Sequence, residues 1–260
     1  DRISACLAEI SSWMTGHHLK LNPSKTELLF IPGDSYPGHD LAISLHNDLN
    51  SPSATAHNLG VTMENLLSFS SHVANVTRSC RFLLYNIRRI WPSLSTQAAQ
   101  VLGQSLVISR LDYCNALLAG LPINAICPLQ MIQNAAAQLV FNLPKFSHTT
   151  LLLRSLHWLL VAARIRFKTL MLANKAKNSS ASSYLKALIT PHTAPRTLRS
   201  SSTAQLVPPS LRVRGKYTTR LLSVQSPRRW NELHLEVRTA ESLAIFKRRL
   251  KTYLFRKYFN

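Results

Sequence analysis

The sequence predicts an α+β fold that is predominantly α-helical. Three observations carry this. Up to about residue 66, short apolar runs alternate with Gly, Pro and Ser, the pattern of brief strands joined by turns. From Ser68 onward, apolar residues recur at spacings of three and four, the period of amphipathic helices. Hydrophobic residues make up 46% of the 260, enough to build a core under those helices.

Residues 2–16 form the first predicted element. Ile3, Leu7, Ile10 and Trp13/Met14 fall on one helical face. Strands are predicted at Glu27–Ile31, Leu41–Leu45 and His57–Thr62, separated by Gly33, Pro37, Gly38, Pro52 and Ser53. Residues 1–66 therefore form a small α+β piece.

A helical segment is expected over 67–143. Phe69, Val73, Val76, Cys80, Leu83, Ile87 and Ile90 make one apolar stripe, and Arg78, Arg81, Arg88 and Arg89 fall on the other side. Pro92 ends this helix, and Ser95 is placed to cap the next, which runs to about Ala119 before Gly120 and Pro122. A third helix spans about Asn124–Phe141, with Ile126, Leu129, Ile132, Ala136 and Val140 on one face. Shorter helices at 148–156, 160–178 and 182–189 make up 144–189. Residues 190–229 are rich in Pro, Ser, Thr and Arg and read as an extended basic connector or loose arm. The last segment, 230–260, holds a helix from about Ala240 to Tyr258, with Thr239 as its cap and Glu241 in its first turn. Leu243, Phe246, Leu250 and Leu254 form its stripe, and Lys247, Arg248, Arg249, Lys251, Arg256 and Lys257 crowd the rest.

Charge is distributed unevenly. Through Asn75 there are three basic and seven acidic residues. From Val76 onward there are 28 basic and four acidic, within a net charge of +20. Such a field favours a polyanion, most often nucleic acid. Cys6, Cys80, Cys114 and Cys127 show no paired spacing, and buried, reduced thiols of the cytosol or nucleus are expected. No apolar run reaches the length of a membrane span.

Catalytic signatures are absent. There is no G-x-S-x-G, P-loop or G-x-G-x-x-G, and His17-His18, His148 and the cysteines lack zinc spacing. The aspartates are Asp1, Asp34, Asp40, Asp48 and Asp112, and no two are adjacent. His157-Trp158 reads as a helix-start aromatic pair packed in the core. Tyr253, Phe255, Tyr258 and Phe259 read as packing residues rather than base-stacking ones.

The run Trp13-Met14-Thr15-Gly16-His17-His18-Leu19-Lys20-Leu21-Asn22-Pro23-Ser24-Lys25-Thr26-Glu27 resembles the segment that follows the catalytic aspartates in reverse transcriptases of LINE-type (non-LTR, jockey-like) retrotransposons. Further motifs follow in family order: Leu59-Gly60-Val61 with Leu67-Ser68-Phe69, then Ser109-Arg110-Leu111-Asp112-Tyr113-Cys114-Asn115 with Gly120-Leu121-Pro122. Gln130-x-x-Gln133-Asn134-Ala135-Ala136, Leu156-His157-Trp158-Leu159 with Arg164-Ile165-x-Phe167-Lys168, Trp230-Asn231-Glu232-Leu233 and Phe246-Lys247-x-x-Leu250-Lys251 complete the set. Leu160 and His234 stand where the resembled pattern prefers proline, Gln138 where it prefers arginine, and Glu64 where it prefers aspartate.

The resemblance implies a polymerase palm remnant, a helical thumb and a basic tail. The paired-aspartate motif is expected upstream of Asp1, in an N-terminal polymerase half that this chain lacks. Mg²⁺ then belongs to the complete polymerase, and this chain carries no catalytic residue, metal ligand or cofactor of its own. Lys25 is implied to lie near the incoming nucleotide. The expected partners are an RNA template and a DNA primer, gripped without sequence readout through Arg78, Arg81, Arg88, Arg89, Lys247, Arg248, Arg249 and Lys251. An intracellular setting, cytoplasm or nucleus, follows from the same resemblance. Two other readings stay open: a stand-alone nucleic-acid-binding helical module, and an inert transposon-derived product.

Overall fold

The computed structural model describes residues 2–22, 25–31, 42–45, 48–178, 180–192, 204–210 and 218–259. It is rich in helix with a few short strands, and it divides into two compact units, 1–72 and 73–260.

In the first unit, α1 (Arg2–Gly16) forms where the apolar spacing predicts it, yet none of its residues is buried. Ile3, Ile10 and Trp13 are exposed. Six short strands follow: β1 (Leu28–Leu29), β2 (Ile43–Leu45), β3 (Asp48–Asn50), β4 (Pro52–Ser53), β5 (Thr55–Asn58) and β6 (Val61–Glu64). They pair as separate two-stranded ladders. β1 runs parallel to β4, while β2–β3 and β5–β6 are antiparallel.

The strand expected over His57–Thr62 is instead the turn of the β5–β6 hairpin. Leu59 and Gly60 sit at its tip with φ of 48° and 78°. A two-residue type I′ hairpin loop, whose twist matches that of the strands, needs positive φ at both positions. Leu59-Gly60 carries the turn signal in its glycine only, so the run mimics a continuous strand. Gly33, Pro37, Gly38 and Leu41 lie outside the described residues.

The hairpin leads into α2 (Ser70–Ile90). Its start is held by Glu64, whose carboxylate accepts from the Ser68 and Ser70 hydroxyls and from the Ser71 N–H at 2.6 Å. A carboxylate at a helix N-terminus satisfies an orphan donor and complements the helix dipole. Burial opposes the charged form of Glu64, but the hydrogen bonds from Ser71 and Ser70 outweigh it and hold the carboxyl below its ordinary range.

In the second unit α2 buries Val73, Cys80, Leu84 and Ile87. This is the predicted stripe, rotated slightly, so that Ile90 is exposed. Burial pushes the Cys80 thiol up to about 11, partly offset by the nearby Arg110. A 3₁₀ turn over Trp91–Ser93 contains Pro92. Ser95 then caps α3 (Thr96–Leu102), its side chain accepting from the Ala98 N–H at 3.2 Å.

The single helix expected to Ala119 is broken. α3 passes into a π-helical stretch (Gly103–Ile108), then α4 (Ser109–Asp112), and Tyr113 is already extended. Cys114 takes φ of 50°, and a 3₁₀ turn covers Asn115–Leu118. Cys114 is therefore exposed rather than buried in a helix, as are Cys6 and Cys127, and Cys80 is the buried thiol. Gly120 has φ of 82°, and a Cβ there would approach the Arg220 Cα to 3.1 Å. Only glycine meets both conditions.

α5 (Ile123–Val140) packs against α3, the π-helical stretch, α6 (Thr149–Ser155) and α7 (Val161–Lys177). The chain continues through α8 (Ser183–Lys186), a two-stranded pair of β7 (Thr190–Pro191) and β8 (Leu206–Val207), then α9 (Leu222–Asn231), α10 (Leu235–Arg238) and α11 (Leu243–Phe259). The connector expected over 190–229 thus includes one ladder and most of α9, whose Gln225, Ser226 and Pro227 are buried. Arg196, Arg199, Arg212, Arg214 and Lys216 of that stretch lie outside the described residues. α11 starts at Leu243 rather than Ala240, and Ser242, not Thr239, accepts from a first-turn N–H, that of Ile245.

A core of Leu170, Ala173, Leu206, Trp230, Leu233, Val237, Phe246, Leu250 and Leu254 joins α7 to α9, α10 and α11. Trp230 is fully buried, stacks on Phe246 at 5.4 Å and donates from its indole N–H to the Ala204 carbonyl. The Asn231 side chain clamps Leu206, accepting from its N–H at 3.0 Å and donating to its carbonyl at 2.9 Å.

Leucine is costly in the left-handed conformation, and Leu59 is 83% exposed. Leu59→Asn is expected to stabilise the hairpin by about 0.5–1 kcal/mol, because asparagine tolerates this conformation. Slower amide exchange of Ala56 and Met63 is the readout, and unchanged or faster exchange contradicts the turn geometry.

Candidate nucleic-acid interface

Several motifs of the second unit form a polar frame. Asp112 accepts from Arg164 at 2.5 Å and from the Asn115 amide at 3.2 Å. Arg164 also donates from Nε to the Leu159 carbonyl, which the Gln133 amide reaches as well at 2.8 Å. Gln130 accepts from the Val161 N–H and donates to Asn134. These side chains lock α4 and α5 to the first turn of α7. Asp112 is thus a structural acceptor, and Gln130, Gln133 and Asn134 belong to the frame.

A second knot also involves α7, through Arg166. That side chain pairs with Glu232 at 2.7 Å, and Lys257 approaches the same carboxylate at 3.7 Å. Arg229 is close to Arg166, and burial, then that neighbouring charge, lowers its pKa. Burial also lowers that of Lys177, which lies 5.2 Å above the Trp230 ring, and Arg238 adds to the effect. Several cations therefore share Glu232. Burial works against the Glu232 charge, but the hydrogen bond and charge of Arg166 and the charge of Lys257 hold its carboxyl below the ordinary value.

The predicted contact residues fall on three surfaces. The first is the outer face of α2. Arg78, Arg81, Arg88 and Arg89 are all exposed, as expected. Between them Phe82 is 66% exposed and Tyr85 61%, with the Arg89 guanidinium 5.9 Å from the Tyr85 ring centre. At 3.6 residues per turn these six side chains share an arc of about 120°. No acidic residue occurs anywhere in α2.

The second surface is a cleft of about 830 Å³ between α3, the π-helical stretch, the 156–159 turn, α7 and α11. Lys168, Lys247 and Lys251 line it, together with Gln97, Gln100 and Gln104. Its carboxylate, Asp112, is neutralised by Arg164. The third surface is a groove of about 1040 Å³ beside α10, lined by Arg248, Arg249, Arg256 and Lys257 together with one acidic residue, Glu236. There Arg249 donates to the Glu236 carbonyl at 2.6 Å. The C-terminal basic cluster is therefore divided by the buried stripe of α11: Lys247 and Lys251 face the cleft, Arg248 and Arg249 the groove.

Lys25 is exposed and belongs to the first unit, whereas the other candidates belong to the second. Its neighbours Pro23 and Ser24 lie outside the described residues. His157 is exposed, with φ of 53°, and stacks on Phe255 at 5.7 Å, whereas Trp158 is buried. The core expectation holds for Trp158 alone. Phe255 also packs on Phe259, and Tyr253 on His234, as packing residues do. Phe82 and Tyr85 join the α2 face without being expected there. Their signal in the sequence is their position off the apolar stripe of that helix.

Among the described residues no group of His, Cys, Asp or Glu is placed to hold a metal ion. Among them, too, no helix is long and apolar enough to cross a membrane. Compared with family models, curated proteins and solved structures, the chain matches none.

The Glu232 knot generates a pH prediction. A carboxyl depressed in the folded state contributes stability above its unfolded value, here 4.5, and loses it as pH falls through the folded value. Glu232 is partly exposed, so Glu232→Gln is expected to cost about 1–3 kcal/mol at neutral pH, between the values for surface and buried pairs. The variant's deficit should shrink below pH 4.5. A deficit that is constant with pH in thermal melts contradicts the role of charge.

Proposed function

We propose that this chain is the template–primer gripping part of a LINE-type reverse transcriptase, acting through phosphate contacts and not through catalysis of its own. The observation that carries the reading is the outer face of α2: Arg78, Arg81, Arg88 and Arg89 on one exposed arc of a helix without a carboxylate. Cations without acidic neighbours on their own helix gain most by displacing counterions from a polyanion. The Lys168–Lys247–Lys251 cleft and the groove of Arg248, Arg249 and Arg256 extend the same chemistry to α11.

Two further features support it. Four described carboxylates are already engaged within the chain: Glu27 with His57, Glu64 at the start of α2, Asp112 with Arg164, Glu232 with Arg166. The exposed Ile3, Ile10 and Trp13 of the α1 stripe are apolar surface of the kind a larger polymerase body would bury. In such a body Lys25 would lie near the nucleotide, and the Mg²⁺-holding carboxylates would come from other parts of the polymerase. Recognition through backbone phosphates sets the position of the helical grip and reads no sequence.

The test is fluorescence anisotropy of the whole chain with a labelled RNA–DNA hybrid over a salt series. Affinity should fall steeply and log-linearly with salt and be indifferent to base sequence. Replacing the four α2 arginines with alanine should reduce the salt slope by about three to four, near one for each phosphate no longer neutralised. Lys247→Ala with Lys251→Ala should reduce it by about two. Absence of binding at low salt, or magnesium-dependent primer extension by this chain alone, overturns the proposal.

A further inference from the structure

We propose that the outer face of α2 is a stacking platform for unpaired nucleotides, with Phe82 and Tyr85 carrying bases and the flanking arginines carrying phosphates. This rests on the nucleic-acid reading above and deepens it, because it assigns a single-stranded segment to one face.

Arginines alone do not discriminate between a duplex and a single strand. A duplex presents its phosphates outward and its bases stacked within, so large apolar rings on the contact face gain little from it. A single strand offers free base faces, and aromatic rings interleaved with cations are the surface that binds it. On α2 rings and cations are interleaved. Along the axis both rings lie between Arg81 and Arg88. In helical projection Tyr85 falls between Arg81 and Arg78, and Phe82 falls about 20° beyond Arg89. The rings are two of the most exposed large apolar side chains of this helix. They are separated by about 4.5 Å along the axis, and Arg78 to Arg89 span roughly 16 Å. That length matches about five phosphates of one stacked strand at roughly 3.4 Å each.

The environment of the rings supports this occupant. At the C-terminal helix, Phe255 stacks on His157 and packs on Phe259, and Tyr253 meets His234 edge-on and the Lys257 ammonium at 5.9 Å. On α2 the ring contact is a cation, Arg89 over Tyr85. A guanidinium beside an aromatic ring presents a flat cationic and π surface, on which every base can stack. Charge selects among occupants. An apolar protein partner would have to cover four exposed guanidinium groups, and an acidic one would leave the two rings without a match. A single strand satisfies both at once.

The experiment compares two probes of equal length, an oligouridylate and a blunt RNA–DNA hybrid, against the chain and the variants Phe82→Ala, Tyr85→Ala and Phe82→Trp. Both positions are exposed, so melting temperatures should be unchanged. Each alanine variant is expected to bind the oligouridylate roughly 5- to 150-fold more weakly, the effect of removing one stacked base. The salt slope should not change, because no charge is removed. Hybrid binding should change by much less, and Phe82→Trp should keep or raise single-strand affinity. Equal affinity of the alanine variants and the parent for oligouridylate overturns the inference. So does a parallel weakening on both probes. Ring-dependent binding to phosphatidylserine vesicles without a single-strand effect overturns it too, in favour of a membrane surface. Failure of the parent chain to bind either probe at low salt instead removes the underlying nucleic-acid reading.

Discussion

The Arg164 side chain is the constraint on which the second unit depends. It joins the Asp112 carboxylate to the Leu159 carbonyl, and Gln133 and Gln130 complete the connection from α5. All these groups are polar and partly or fully buried, so each missing bond would leave an unsatisfied partner. The frame thereby fixes where α7 begins. The same helix is fixed to α9 and α11 by Arg166–Glu232 and by the Trp230–Phe246 core. The Lys168–Lys247–Lys251 cleft exists because these two sets of interactions hold α7 and α11 in place.

Three of the described acids organise the interior. Asp112 and Glu232 each neutralise an arginine of α7, and Glu64 serves a helix start. Among the described residues, the cations of the α2 face and much of α11 are left on surfaces, while Arg229 and Lys177 are partly buried. Like charges clustered on α2 and α11 repel one another, and a counter-polyanion relieves that repulsion. The same few acids therefore explain both the order of the interior and the electrostatic character of the exterior.

Much of this is legible in the sequence. The helices α1, α2 and α5 follow from apolar spacing, and the Ser95 cap from one hydroxyl before a periodic run. The break after Asp112 is not legible. Its turn uses Cys114 in a left-handed conformation, with no glycine or proline before Gly120. The ordering of Pro227 into a helix is hidden for a similar reason. Proline and arginine content suggests an arm, but Trp230 and Asn231, just beyond, draw that stretch onto the core. The division of the α11 cations needs only a helical wheel. Assigning each side a surface needs the positions of α7 and α10.

The residues that depart from the resembled reverse-transcriptase pattern each have a place in the local geometry of this fold. Leu160 and His234, where it prefers proline, both occupy helix N-caps with φ of −54° and −60°. Those values lie in the window that a proline ring imposes, about −65 ± 15°. Gln138, in the place of an arginine, donates to the Lys145 and Ser147 carbonyls, a task a guanidinium fork also performs. Glu64, in the place of an aspartate, still delivers a carboxylate to the start of α2. In each case the residue differs while the local geometry it serves accepts either side chain.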